Sequence, residues 1–406
     1  MSRPFSQGPI LSGWTSTKLR TVMTRKKRLG RPDLPLLSVN LPVGVLIRPT
    51  DSGRQAPSED LSGYQVVNEG DLVVNQLGKP HGALGVSKHS GIISPAYFVA
   101  EFNEKVEPNF MHHLLRTRLY ISEYERRGKF MPPNQFDISW DEFRDIEVVL
   151  PPRSQQKAIA DYLDCETMRI DSLIEKKRRM VDLVDEKIVS TCETLLNSDG
   201  SAPVRLKHFV MKVGSGSTPR GGSDVYVDSG VAFLRSQNIK DGQINHDDVV
   251  YITDKDDEIL RRTRIQAGDV LLNITGGSIG RTAIAKSHDL PANVSQHVCV
   301  IRPNTSVSSD LLQAALDSSN VQEQIDLMQV GGNREGLNFE QIRNLMIVIP
   351  NPQNALRIEQ NLIVERLRLK KVKELLLMQI DLLVIRRQAL TIAAVTGELE
   401  IPEVAA

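Results

Sequence analysis

Residues 70–86, GDLVVNQLGKPHGALGV, and residues 268–284, GDVLLNITGGSIGRTAI, are two copies of one pattern. Gly70, Asp71, Asn75, Gly78 and Gly82 fall on Gly268, Asp269, Asn273, Gly276 and Gly280 at a fixed offset of 198, and the apolar residues between them match in kind. Further along, ISWDEFRDIEVVLPP (from residue 138) matches LNFEQIRNLMIVIPN (from residue 337) at an offset of 199. Arg144, Val149, Pro151, Ile159 and Leu163 recur there as Arg343, Val348, Pro350, Ile358 and Leu362. Two separate matches at nearly one offset mark an internal duplication, and a period of about 200 residues is far too long for a solenoid. The 406 residues are one unit used twice.

Each unit has the same internal order. A segment rich in Gly, Pro and Asn comes first, with short β-branched runs bounded by turn residues. Residues 72–75, 97–102, 146–150, 270–274, 297–302 and 346–350 read as strands, with helices over 109–124 and 309–328. The segment is α+β. Pro151-Pro152 and Pro350-Asn351-Pro352 then block helix before them and suit a helix start after them. Residues 154–196 and 353–395 contain no Pro or Gly. Each predicts one helix of about 65 Å at 1.5 Å per residue. Ile174, Val181, Ile188 and Leu195 recur every seven residues in the first, with Ile170, Val184 and Thr191 at the other seam position and Lys177 as a lapse in it. Leu362, Leu369, Leu376, Leu383 and Leu390 do so in the second, with Glu365, Val372, Gln379, Arg386 and Ala393 as mixed partner positions. Such seams need a partner, and the economical partner is the other helix. The expected architecture is two similar α+β globular domains (1–150 and 201–350) separated by two long antiparallel coiled-coil helices (151–200 and 351–406, the latter with an acidic tail), a pseudo-two-fold repeat.

Composition narrows the function. Apolar content of 40% and charged content of 25% are those of an ordinary soluble protein. No run approaches the roughly 18 apolar residues of a membrane span, and the opening residues lack a signal core, so a cytoplasmic location is expected. Cys165, Cys192 and Cys299 are far apart, which disfavours a disulfide framework or a structural zinc site; no metal ligands are expected. Cys165 and Cys192 are expected to pack on the first helix, Cys299 in the core, and His112-His113 to lie on the surface. No phosphate loop, H-E-x-x-H, G-x-S-x-G or Asn/Asp-Pro-Pro-aromatic motif occurs. The glycines at 276–280 read as a tight turn, because the duplicate carries Lys-Pro-His between its own. Enzymatic chemistry is not expected of this chain.

The 50 Lys+Arg and 50 Asp+Glu cancel overall, but residues 1–60 hold ten basic and four acidic residues. Arg25, Lys26, Lys27 and Arg28 are the densest cluster; Lys79, His81, Arg126, Arg127 and Lys129 follow. Such cations neutralise phosphates and release counterions. Reading bases needs side chains that donate and accept in fixed directions. Loops of that composition in the second half carry Ser217, Thr218, Arg220, Arg235, Gln237, Asn238, Arg281, Gln296, His297, Asn333 and Arg334. These residues are the candidate DNA contacts. The competing reading is a bivalent scaffold that binds proteins or sugars through its globular ends.

The chain resembles the specificity subunits of type I restriction-modification systems. The resemblance covers essentially the whole chain and is strongest in the second half. It is carried by VGSGSTPRGG (213–222), FLRSQNIKDGQI (233–244), GDVLLNITGGSIGRTAI (268–284), SQHVCVIRP (295–303), GGNREGLNFEQIRNLMIVIPNP (331–352) and ALTIAAVTGELE (389–400), with QQKAIADYLD (155–164) and RIDSLIEKK (169–177) in the first long helix. The first half departs from the pattern: residues 45–50 stand roughly where a loop like FLRSQNI belongs. The resemblance implies a non-catalytic subunit in which each globular segment is a target recognition domain reading half of an asymmetric bipartite site in double-stranded DNA. It implies that the helices space the half-sites and dock modification (methyltransferase) subunits, two in number, with restriction subunits completing the complex. S-adenosylmethionine, ATP and Mg would then be bound by those partners, with no cofactor on this chain.

Overall fold

The computed structural model describes residues 12–41, 43–48, 61–75, 83–131, 135–219, 221–329 and 336–401. Two compact units make up the chain: residues 1–176 with 379–406, and residues 177–378. Each contains one globular segment and half of each long helix.

The duplication appears as one sheet built twice. In the first unit four antiparallel strands run in the order Met23–Lys26, Tyr97–Phe102, Leu72–Asn75, Leu84–Val86. In the second the order is Val210–Ser215, Val298–Pro303, Val270–Asn273, Thr282–Ile284. The repeated Gly-Asp pair explains why this element kept its sequence. Gly70 and Gly268 have φ of 88° and 90°, a region where a side chain is strained. Their N–H groups donate to Ser87 O and Ala285 O, both at 2.8 Å. Asp71 and Asp269 are buried and accept from the N–H of Asn68 and Gln266, again both at 2.8 Å. Each carboxylate takes an arginine, but from a different place: Arg28, just after the Met23–Lys26 strand, at 2.7 Å in the first unit, and Arg302, within the Val298–Pro303 strand, at 2.7 Å in the second. Burial raises the Asp71 carboxyl above its usual range, against the pull of its hydrogen bonds and of Arg28.

A second layer of strands differs between the units. Val231–Leu234 lies antiparallel to Val250–Ile252 and parallel to Ala292–Val294. In the first unit Leu37–Asn40 pairs with Gly44–Ile47 and Gln65–Val67 with Gly91–Ile93, and Leu36 makes a parallel bridge to Ile92. That bridge gives the segment from Leu36 the place in its own unit that FLRSQNI holds in the second, so the expected equivalence with residues 45–50 is displaced by about one strand.

The two intermediate helices are each broken in two, as Pro108–Leu115 with Arg118–Arg127 and Ser309–Leu316 with Ser319–Gln329. Thr117 and Ser318 donate to Leu114 O and Ala315 O at the breaks, a local alternative to continuing the helix. The matched DEFR and EQIR segments are short capped helices; Ser139 and Asn338 accept the N–H of Glu142 and Gln341.

The long helices span Arg153–Leu196 and Pro352–Thr396. Within each unit they run antiparallel. In the first, Asp171 pairs with Arg387 at 2.9 Å, while Ile159 and Leu163 pack in one core with Ala394 and Val395. In the second, Asp185 pairs with Lys373 at 2.8 Å, while Cys192 and Leu196 share a core with Ile358 and Leu362. The globular cores are continuous with these helix halves: Phe98, Phe110 and Phe143 in the first, Leu272, Leu312 and Leu316 in the second. Each fully buried side chain of this size contributes about 1.5–3 kcal/mol.

Ile174, Leu362 and Leu376 are buried, and Val181, Ile188, Leu195, Leu369, Leu383 and Leu390 are half-buried. The partner positions of the second helix are one residue later than expected. They are Arg366, Lys373, Ile380, Arg387 and Ala394; Gln379 and Arg386 are exposed. Three of the five are cations because carboxylates meet them. The chain end also departs from a simple acidic tail. Gly397, at φ 79°, ends the helix, and Leu399 and Ile401 fold back onto the first core. Cys165, expected to pack, is exposed; Cys192 and Cys299 are buried, and burial pushes the Cys299 thiol up to about 12. His112 and His113 are half-buried rather than superficial. His112 Nδ1 accepts the Val86 N–H, and burial drives its pKa well down. Among the described residues no helix is long and apolar enough to cross a membrane.

Candidate nucleic-acid interface

In the second unit, backbone crossings gather the polar loops at one end of the sheet. Ser295 N–H donates to Leu234 O at 2.9 Å, Ser217 N–H to Val294 O at 3.2 Å, and Ile274 N–H to His297 O at 3.0 Å. Gly216 permits the closest crossing, since a Cβ there would lie 1.8 Å from Val294 O. Asn273 is the hub. Fully buried, it donates through Nδ2 to Ser236 O at 2.8 Å and Ser278 Oγ at 3.1 Å. Its backbone exchanges bonds with Arg281 and Gly280.

The structure thus brings together Ser217, Thr218, Arg235, Gln237, Arg281, Gln296 and His297. Ser217, Gln237, Arg281, Gln296 and His297 are exposed. Arg281 has no ion pair among the described residues. His297 Nδ1 is 2.6 Å from Thr275 Oγ1. Arg235 lies 6.0 Å over the Tyr226 ring and donates to Asp248 O at 2.8 Å. It also reaches Asp248 Oδ2 at 3.3 Å, and Gln237 donates to that same oxygen. Asp248 itself adopts φ 64° and is exposed. Composition gave no reason to single it out, yet it holds two of the candidate readers.

Asn238 is not a reader. It is fully buried, its Oδ1 accepts the Arg235 N–H at 2.9 Å and its Nδ2 donates to Asn245 O at 3.1 Å. It shapes the loop that carries Arg235 and Gln237. Arg220, Asn333 and Arg334 lie outside the described residues, as do Lys79 and His81.

In the first unit the basic run divides by role. Arg25 is exposed and stands 5.8 Å from both the Phe98 and Trp140 rings. Lys26 pairs with Glu101 at 3.2 Å, and Lys27 is exposed without a described partner. Arg28 is held by Asp71 and Glu101, each at 2.7 Å, so it belongs to the scaffold. Arg126 and Arg127 both bind Glu123, at 2.6 and 2.5 Å. Burial alone would raise the Glu123 carboxyl; the bonds from these two arginines outweigh it and leave the carboxyl below its usual range. Lys129 is exposed.

Each unit also clamps its globular segment to a long helix. In the first, His113 Nε2 meets Asp164 Oδ1 at 2.8 Å. In the second, Asp317 meets Arg366 at 2.7 Å. The carboxylate sits on the long helix in one unit and on the globular side in the other.

Residues 205–372 match the family model described as type I restriction modification DNA specificity domain. That span contains the whole loop cluster of the second unit. The second half of the chain is thus similar to the DNA specificity domain of type I restriction-modification systems. Among curated relatives, the type I restriction enzyme EcoBI specificity subunit of Escherichia coli is 22% identical over 339 residues, covering 75% of this chain and 67% of that one. A solved structure from work on complex assembly and conformational transition of the type I R-M system superposes with a TM-score of 0.64 at 18% identity, over 97% of this chain and 100% of that chain.

Proposed function

We propose that this chain is a type I specificity subunit, a non-catalytic partner of other restriction-modification subunits, and that it reads an asymmetric bipartite target in double-stranded DNA. The second domain reads one half-site through the loops around Asn273, and the first domain reads the other. The observation that carries this reading is one sheet built twice with unlike loops. The repeated Gly-Asp and Asn elements hold the frame constant, while the strands that precede the loops differ. Two domains that share a frame and differ in loops suit two half-sites of different sequence.

The long helices would act as the spacer, as the separation of paired recognition elements sets half-site spacing elsewhere. They also expose apolar side chains that neither core covers: Met168 and Leu173 in the first unit, and Met180, Leu183, Leu367 and Leu375 in the second. Such residues on charged helices suit docking of modification subunits, two of them by the symmetry of the repeat, with restriction subunits added. S-adenosylmethionine, ATP and Mg would be bound by those partners, in the cytoplasm. Adenine would be extruded from the duplex for methylation there.

Methylation-sensitive long-read sequencing of DNA from cells carrying the complex tests this directly. A two-part motif with a fixed gap is expected. Inserting about four residues into each long helix adds about 6 Å at 1.5 Å per residue and should lengthen the gap; a single contiguous motif, or a gap that ignores the insertion, would overturn the reading.

A further inference from the structure

We infer that His246, His288 and Asp289 form a binding site for a divalent transition-metal ion of the zinc type on the second recognition domain. His246 Nε2 is 2.6 Å and His288 Nε2 3.5 Å from Asp289 Oδ1, and one ligand atom from each residue lies within 4.8 Å of the others. Two imidazoles and one carboxylate are a set that zinc accepts, at about 2.0–2.2 Å per bond, with further positions left to water.

The carboxylate is prepared for this role. Asp289 is 6% exposed. Its Oδ2 accepts the Lys286 N–H at 2.6 Å, which fixes the group and leaves Oδ1 facing the histidines. Among the described residues no lysine or arginine side chain pairs with it, so a buried charge faces only two rings. A buried carboxylate without a cation is costly, and a metal ion supplies one. Both histidine side chains are exposed, 50% and 71%, so solvent and a metal ion reach them. Outer hydrogen bonds that orient a ligand in this way are typical of metal sites.

The ligands come from two segments about 40 residues apart, which is why spacing patterns in the sequence do not reveal them. The first half does not repeat the set: between Ser87 and Ser90 it has His89 but no carboxylate. The ion would tie the segment holding Asp248, and through it Arg235 and Gln237, to the turn before Ala292–Val294.

The test is isothermal titration of the full chain with zinc chloride, beside a His246→Ala/His288→Ala double variant. Both substitutions are at exposed positions, and far-UV circular dichroism checks that the fold is kept. The wild type should bind one zinc more than the variant, and each single variant should bind that ion at least about tenfold more weakly. Cobalt(II) should give a visible absorption band with the wild type that the double variant lacks. Equal stoichiometry and affinity in wild type and double variant would overturn the assignment, even if zinc binds elsewhere on the chain.

Discussion

Removing the Arg366 guanidinium tests the clamp between the second globular segment and the long helix. Arg366 Nη2 donates to Asp317 Oδ2 at 2.7 Å and Nη1 to Gln313 Oε1 at 3.1 Å; Thr282 Oγ1 donates to Asp317 Oδ1 at 2.6 Å. The side chains are 13% and 28% exposed. At that distance and an effective dielectric of about 20 the gross attraction is about 6 kcal/mol, most of it offset by desolvation. Removing one member of a fully buried pair costs about 3–5 kcal/mol. Asp317 keeps its Thr282 bond and touches solvent, so Arg366→Met should cost about 2–3 kcal/mol, or about 5–10 °C in a unit of this size. Burial already raises the Asp317 carboxyl above its usual range, with Arg366 pulling it back. A raised carboxyl favours the fold at low pH and loses that contribution as pH rises through the folded value. Without Arg366 the carboxyl rises further, so the defect should be small near pH 4 and grow toward pH 7. Urea unfolding followed by circular dichroism at both pH values measures it. Trp14 and Trp140 both lie in the first unit, so tryptophan fluorescence reports that unit separately. Asp317→Asn in the Arg366→Met background should recover about 1–2 kcal/mol. A defect below about 0.5 kcal/mol, or one independent of pH, would refute the argument.

Further outcomes follow from the same geometry. The hydrogen bond from His113 holds Asp164 below the usual carboxylate range; its stabilisation is present above the unfolded value and lost as pH falls through the folded one. Asp164→Asn should therefore flatten the acid limb of first-unit unfolding below about pH 4, read by tryptophan fluorescence. Gly216→Ala must push Val294 O away from 1.8 Å. A cost of about 1–3 kcal/mol is expected, with loss of sequence-selective DNA retention in a gel-shift assay of the assembled complex. Asp248→Ala frees Arg235 and Gln237. It should strengthen salt-dependent binding to unrelated DNA in fluorescence anisotropy, whereas unchanged binding would show that the two side chains do not face the duplex. Arg235→Ala should change only the half-site read by the second domain, and equal weakening on all sequences would mark a phosphate contact.

The duplication, the two inner strands of each four-stranded sheet and the helix starts were legible because each rests on short-range chemistry. Gly-Asp needs a left-handed residue before a buried cap, and proline ends one element and opens the next. Roles that depend on a distant partner were not legible. Arg28 looks like part of a basic patch until Asp71, 43 residues away, is found beneath it. Asn238 has the right chemistry for adenine, but its amide closes a loop with Asn245. The second seam of the Pro352–Thr396 helix was placed one residue early because its true positions carry Arg366, Lys373 and Arg387, which look like surface until their carboxylates are in view. The loop cluster itself was anticipated from composition, and Asp248 escaped because an acid is not an obvious neighbour for DNA-reading side chains.

The clamps of opposite polarity bear on how such a chain can be re-engineered. A fragment moved from one half to the other does not find its clamp partner on its new helix. The first globular segment would bring His113 to a helix that offers Arg366, and the second would bring Asp317 to a helix that offers Asp164. Exchanging recognition domains between the halves of this molecule therefore requires the matching stretch of long helix to travel with each. The unit of modular exchange is the compact body of domain plus helix pair, not the loops that read the target.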